Sequence, residues 1–295
     1  MNYVEETALF ACQGDTLLGI LSRPELPEQT GVVVIVGGPQ YRAGSHRQFV
    51  LLSRALAAAG YPVLRFDYRG MGDSTGAQRD FEGVSADIAA AIDTLQQRVP
   101  AVTQVALWGL CDGASAALLY CHETNDPRVN GLCLLNPWVR SEASLARTQV
   151  KHYYRQRVMQ KEFWLKLLRG KVAAGAVKGL IDKIRLAGAS PDKRAVQTAQ
   201  AAFQQRMAAA WHRFNGHILL MLSGDDYTAK EFVEYTGTDP CWKNYQNHAG
   251  LLRHEIAGAD HTFSSAASQA SALEKILNWL AQCRAAPPAT PAALG

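Results

Sequence analysis

The chain lacks the marks of a metal-bound or disulfide-stapled protein. Its six cysteines, Cys12, Cys111, Cys121, Cys133, Cys241 and Cys283, are scattered over 295 residues without CxxC pairing or histidine spacing. A zinc site and a disulfide framework are therefore not expected, and neither is any other metal or cofactor. No apolar run approaches the roughly 18 residues needed to cross a bilayer. The start, Met1-Asn2-Tyr3-Val4-Glu5-Glu6, has neither the basic nor the apolar part of a secretory signal, so a cytoplasmic protein is the expectation. Internal repeats are absent, and no recognised motif points to nucleic acid as a partner. What is present is a 48% hydrophobic composition, enough to bury a sizeable core in one α/β domain with or without an insertion.

The net charge of +4 is small, but it is unevenly spread. From Arg140 to Arg213 sixteen lysines and arginines stand against four acids, so a basic segment interrupts an acidic remainder. Alternation and apolar runs predict strands near residues 5–11, 16–23, 31–36, 62–66, 104–108, 131–135, 217–222 and 252–257. Helical spacing fills the gaps at 46–59, 84–97, 113–123 and 268–283. Two strands joined at Gln13-Gly14-Asp15 and followed by β-α-β alternation imply a mostly parallel eight-stranded sheet with an antiparallel start and helices on both faces. Between Pro137 and Phe214 the rhythm stops, and Gly170, Gly175, Gly179 and Gly188-Ala189-Ser190-Pro191 punctuate a stretch with no convincing strand. The expected organisation is a core of residues 1–139 and 212–284, a helical cap inserted at 140–211 over the carboxyl edge of the sheet, and a disordered tail at 285–295.

Chemistry concentrates where predicted strands end. Cys111 follows the strand Val105-Ala106-Leu107 in the run Trp108-Gly109-Leu110-Cys111-Asp112-Gly113-Ala114-Ser115 and precedes an Ala-rich helix. Glycines two residues to either side let neighbouring backbone pass a strained strand-to-helix turn. The helix start that follows offers unpaired N–H groups, which favour a thiolate and can receive an oxyanion. An activated thiol needs a base, and the base an orienting acid. Ser223-Gly224-Asp225-Asp226 and Gly258-Ala259-Asp260-His261 follow the next-to-last and last strands and supply both in order. His261 is the expected base. The acid is Asp225 or Asp226, with Asp226 favoured and its neighbour expected to cap the turn.

Two backbone N–H groups should form the oxyanion hole, that of Asp112 and one from Val36-Gly37-Gly38-Pro39-Gln40-Tyr41. Gly38 is the choice and Gln40 the runner-up, since Pro39 has no N–H; the alternative is a glycine-rich loop that only turns the chain. The Asp112 side chain is expected to point away, because a carboxylate beside Cys111 opposes its ionisation. Gln40, Tyr41 and Trp164 are candidate substrate contacts. The basic stretch from Lys151 to Lys193, interleaved with Tyr153, Tyr154, Phe163 and Trp164, fits an anionic glycan or membrane surface, or is simply a solvated helix face.

These pieces, together with Asp67-Tyr68-Arg69-Gly70-Met71-Gly72-Asp73-Ser74, resemble the α/β-hydrolase superfamily over about residues 5–283. More narrowly, the chain resembles the type 1 hydrolases associated with the exosortase A system of exopolysaccharide-producing Gram-negative bacteria. The resemblance implies an α/β-hydrolase fold, a Cys111-His261-Asp226 triad and a structural turn built by Arg69, Asp73 and Ser74 after the fourth strand. Cysteine in place of serine is a departure also found in dienelactone hydrolases. An ester or thioester hydrolase forming an acyl-enzyme is the expected function, with an acyltransferase using the same triad or a non-catalytic lipid- or glycan-binding module as alternatives.

Overall fold

The computed structural model describes residues 2–38, 40–140 and 202–283. The chain begins with a hairpin of β1 (Tyr3–Cys12) and β2 (Asp15–Pro24), whose two turn residues, Gln13 and Gly14, both have positive φ. That is the tight turn whose twist matches paired strands. There follow β3 (Thr30–Ile35), α1 (Gln48–Ala58), β4 (Val63–Phe66), α2 (Ser85–Arg98), β5 (Gln104–Leu110), α3 (Asp112–Thr124) and β6 (Val129–Leu135). After residue 201 come α4 (Phe203–Arg213), β7 (His217–Ser223), α5 (Tyr227–Thr238), β8 (Leu251–Ile256) and α6 (Ala266–Gln282).

The strands form one eight-stranded sheet in the order β1-β2-β4-β3-β5-β6-β7-β8. β1 pairs antiparallel with β2 and β2 antiparallel with β4, and every other pairing is parallel. Val33 at the centre of β3 lies between Leu64 and Leu107, and all of β3 and β4 is buried. Such strands carry continuous apolar runs because helices cover both faces. Parallel pairing also brings the carboxyl ends of β5, β6, β7 and β8 to one edge of the sheet. Residues just beyond those ends meet there although far apart in sequence.

All eight strands and the helices α1, α2, α3 and α6 fall where apolar spacing predicts them. Helix α5 was not foreseen, and its β-branched Thr228, Val233, Thr236 and Thr238 are weak helix formers. Tertiary packing holds it: Phe232 sits 5.6 Å from Trp242 in an aromatic cluster with Trp211 and Tyr245. Trp211 comes from α4, which packs on α3, where Arg206 reaches Glu123 at 3.1 Å and also pairs with Glu82. The compact unit that holds the sheet resumes at Ala202, so the expected insertion boundary at 211 falls inside a core helix. The second unit, Val139–Ala201, lies outside the described residues apart from Val139 and Arg140, and so does the tail at 285–295. Among the described residues no helix is long and apolar enough to cross a membrane.

The turn after β4 is built on buried charge. Arg69 grips Asp87 of α2 with hydrogen bonds of 3.0 and 2.8 Å, and both side chains are buried. Asp67 pairs with Arg42 and accepts the Asp73 N–H at 3.1 Å, while Ser74 donates to the Asp67 carbonyl at 2.6 Å. These bonds tie the β4 turn to the loop after β3, which reaches the sheet edge beside Cys111.

Candidate active site

Cys111 is the residue between β5 and α3, and its backbone is forced to φ 60, ψ −124. For a residue with a Cβ this is a strained conformation, of a kind that costs on the order of 1–3 kcal/mol and gathers at functional sites. The flanking glycines permit it. A Cβ at Gly109 would come within 2.4 Å of the Gly113 backbone, and one at Gly113 within 2.5 Å of the Ile35 carbonyl. The elbow is pinned from β6: Cys111 N–H donates to the Leu135 carbonyl at 2.9 Å, and Trp138 N–H donates to the Cys111 carbonyl at 3.2 Å.

His261, beyond the end of β8, lines one cavity with Cys111. Its Nδ1–H donates to Asp226 Oδ2 at 2.9 Å. The hydrogen bond to Asp226 first, and that to Cys111 second, push the imidazole up to about 10 against the opposing effect of burial. Burial pushes the Asp226 carboxyl up in turn. The His261 hydrogen bond and charge and the Thr228 and Ala229 amides outweigh that effect and hold it below the ordinary carboxylate value. Those two amides lie 3.2 Å from its oxygens, so Asp226 also caps α5. The expected division of labour between adjacent acids is thus corrected: Asp226 both caps the helix and faces the imidazole. Asp225 is exposed, and its backbone N–H donates to the Ala259 carbonyl at 3.0 Å.

A second correction concerns Asp112. Its side chain does not point away: Oδ1 accepts the Gly38 N–H at 2.6 Å. Burial lifts its carboxyl above the ordinary value, against the lowering effect of the backbone amides around it. A cavity of about 350 Å³ opens over this cluster. Gly37, Gly38, Gln40, Phe49 and Trp138 line it around Cys111, Asp112 and His261. Gln40 Oε1 also accepts weakly from Ser45 and Gln48. Tyr41 is exposed, is not part of that lining, and has the Arg42 guanidinium 5.7 Å from its ring centre. Trp164 lies outside the described residues.

Asn136 was missed by the sequence reading. It follows β6 with a positive φ of 45, is fully buried, and ties the acid loop to the histidine loop. Its Nδ2 donates to Ser223 Oγ at 2.8 Å and to the His261 carbonyl at 3.1 Å, while its Oδ1 accepts the Ser223 N–H at 2.8 Å. The signal was an asparagine before Pro137 at a strand end, a position where asparagine tolerates left-handed backbone.

The profile of the hydrolase family described as "Serine aminopeptidase, S33" matches residues 27–226. The chain belongs to this family. The match takes in the elbow and Asp226. Among curated relatives, human Protein ABHD12B is 37% identical over 86 residues, 29% of this chain and 23% of its own length. The Danio rerio lysophosphatidylserine lipase ABHD12 is 33% identical over the same length, covering 29% and 22%. The chain therefore spans under a quarter of these relatives. Solved structures extend the likeness to the whole fold. The Pyrococcus furiosus esterase Pf2001 superposes with a TM-score of 0.63 at 13% identity, covering 96% of this chain and 92% of its own. The Anabaena variabilis dienelactone hydrolase gives 0.60 at 13%, covering 96% and 99%. The S33 family member described here has the α/β-hydrolase fold.

Proposed function

We propose that this chain is a carboxylic ester or thioester hydrolase in which Cys111 is the nucleophile, His261 the proton carrier and Asp226 the acid that orients and charges it. One observation carries the reading. The thiol on the strained elbow shares a cavity with an imidazole that is itself hydrogen-bonded to a buried carboxylate. An imidazolium favours a thiolate beside it. In the reaction, the thiolate sulfur bonds to the acyl carbon and the carbonyl π pair moves onto oxygen, where the backbone N–H groups of Gly38 and Asp112 receive the oxyanion. Its collapse expels the alkoxide or thiolate leaving group, which takes the proton from His261. Water then adds to the thioester, its proton passing to the neutral imidazole, and carboxylic acid and Cys111 are released.

The thiol itself favours a second reading, acyl transfer, because amine or thiol acceptors capture thioesters readily. The elbow and loop motifs shared with exosortase-associated hydrolases support an exopolysaccharide-linked acyl compound as one substrate class. The Danio rerio relative is a lysophosphatidylserine lipase, which adds lysophosphatidylserine as a candidate substrate. Contact of the basic segment with a glycan or membrane surface belongs to the same proposal.

The test is intact-mass detection of an acyl adduct on Cys111 after exposure to a panel of activated esters and thioesters, with turnover followed in parallel. Cys111→Ala and His261→Ala should each abolish turnover, and activity retained in both sinks the reading. Product formed only when an amine or thiol acceptor is added distinguishes transfer from hydrolysis. No turnover with any ester, but a ligand-dependent rise in melting temperature, leaves a binding module instead.

A further inference from the structure

One of the two amides placed to receive an oxyanion, that of Gly38, is already donating to an anion. Asp112 Oδ1 takes the Gly38 N–H at 2.6 Å. Gly37 makes room for this arrangement, since a Cβ there would lie 2.4 Å from Asp112 Oδ1. A single N–H cannot serve the carboxylate and a developing oxyanion together at full strength, and two like charges sharing one small site repel. Asp112 lines the same cavity as Cys111 and His261 and keeps part of its surface exposed.

We propose that the Asp112 carboxylate is a built-in occupant of the oxyanion hole, an autoinhibitory contact that the substrate's carbonyl oxygen must displace before Cys111 is acylated. The inference rests on the hydrolase reading above. Two features make the occupant displaceable. Burial disfavours its charged form more than the amide contacts favour it, in contrast to Asp226, which is held charged. Its departure also leaves the backbone donors in place, because they belong to the main chain and not to the side chain that moves.

The experiment uses the full chain, wild type and two variants, Asp112→Ala and Asp112→Asn, and compares two reactions of Cys111. Acylation by p-nitrophenyl butyrate builds an oxyanion and expels p-nitrophenolate. Methyl methanethiosulfonate forms a methyl disulfide on Sγ and expels methanesulfinate, with no oxyanion at a carbonyl. Both adducts are followed on the Cys111 peptide by mass. Asp112→Ala should raise the ratio of acylation to disulfide formation by about tenfold or more. Asp112→Asn should lie between, because its amide oxygen keeps a neutral acceptor for the Gly38 N–H. Removing a charge that acts only on the ionisation of the thiol moves both rates by one factor. An unchanged ratio therefore overturns the inference and leaves the hydrolase reading standing, and a lower ratio also overturns it. Should Asp112→Ala fail to fold by circular dichroism, Asp112→Asn decides alone, its ratio either rising or not. If no ester in the panel acylates Cys111 in any of the three chains, the hydrolase reading fails and the inference with it.

Discussion

Asp226 and Asp112 sit at the same kind of place, each at the start of a helix that follows a parallel strand, Asp226 accepting amides of its own helix and Asp112 the Gly38 amide from the loop after β3. They differ in what faces them. Asp226 meets the His261 imidazole, which arrives from the end of β8, and its carboxyl falls below the ordinary value. Asp112 meets the Gly38 amide, and burial lifts it instead. A helix-start acid therefore takes its chemical character from the group that another strand's loop brings to it.

The sharpest way to break that contrast is Asp226→Asn, which should lower kcat/KM by roughly 10³–10⁴ by disordering the imidazole's tautomer and charge, measured with the best ester of the panel. Asp112→Asn should cause no loss, and equal losses in the two variants would erase the distinction. Next in size is Asn136→Ala, which touches neither acid but frees both loops. It should cost about 10²-fold in kcat/KM through misplacement and about 1–3 kcal/mol in urea unfolding, because the Ser223 amide loses its buried acceptor.

A third outcome is read from stability against pH. His261 has its pKa raised to about 10 in the folded chain, so its contribution is complete below the ordinary histidine value near 6.5 and fades as pH climbs toward about 10. The lowered Asp226 contributes above the ordinary carboxylate value and loses that contribution in acid. The stability difference between wild type and Asp226→Asn should thus be larger at about pH 5.5 than at about pH 9.5 in matched urea titrations. Asp112 has the opposite sign: its raised carboxyl makes ionisation destabilising as pH rises through its titration range. Asp112→Asn should accordingly not lower stability at neutral pH. The smallest effect belongs to Asp225→Asn, an exposed acid, whose kcat/KM and melting temperature should stay within about twofold and about one degree.

Much of this was legible in one dimension because parallel strands buried on both faces leave continuous apolar runs, as in Val32-Val33-Val34-Ile35-Val36 and Ile218-Leu219-Leu220-Met221-Leu222. The elbow was legible for a related reason. Close backbone passage demands glycine, so Gly109 and Gly113 record in sequence a contact made in space. Helix α5 was not legible, since an aromatic cluster assembled from residues 211, 232, 242 and 245 overrides the weak propensity of its threonines. Asn136 was hidden likewise, because its partners lie 87 and 125 residues away.

The sequence by itself determined the strand order of chemistry: a thiol after β5, adjacent acids after β7 and a histidine after β8, each marked by local glycine and turn residues. Only the tertiary structure decided which acid faces the histidine and where the Asp112 carboxylate turns. Side-chain direction at a loop depends on donors and charges carried in by other strands. Those partners leave no local trace in the residues beside Asp112 or Asp226.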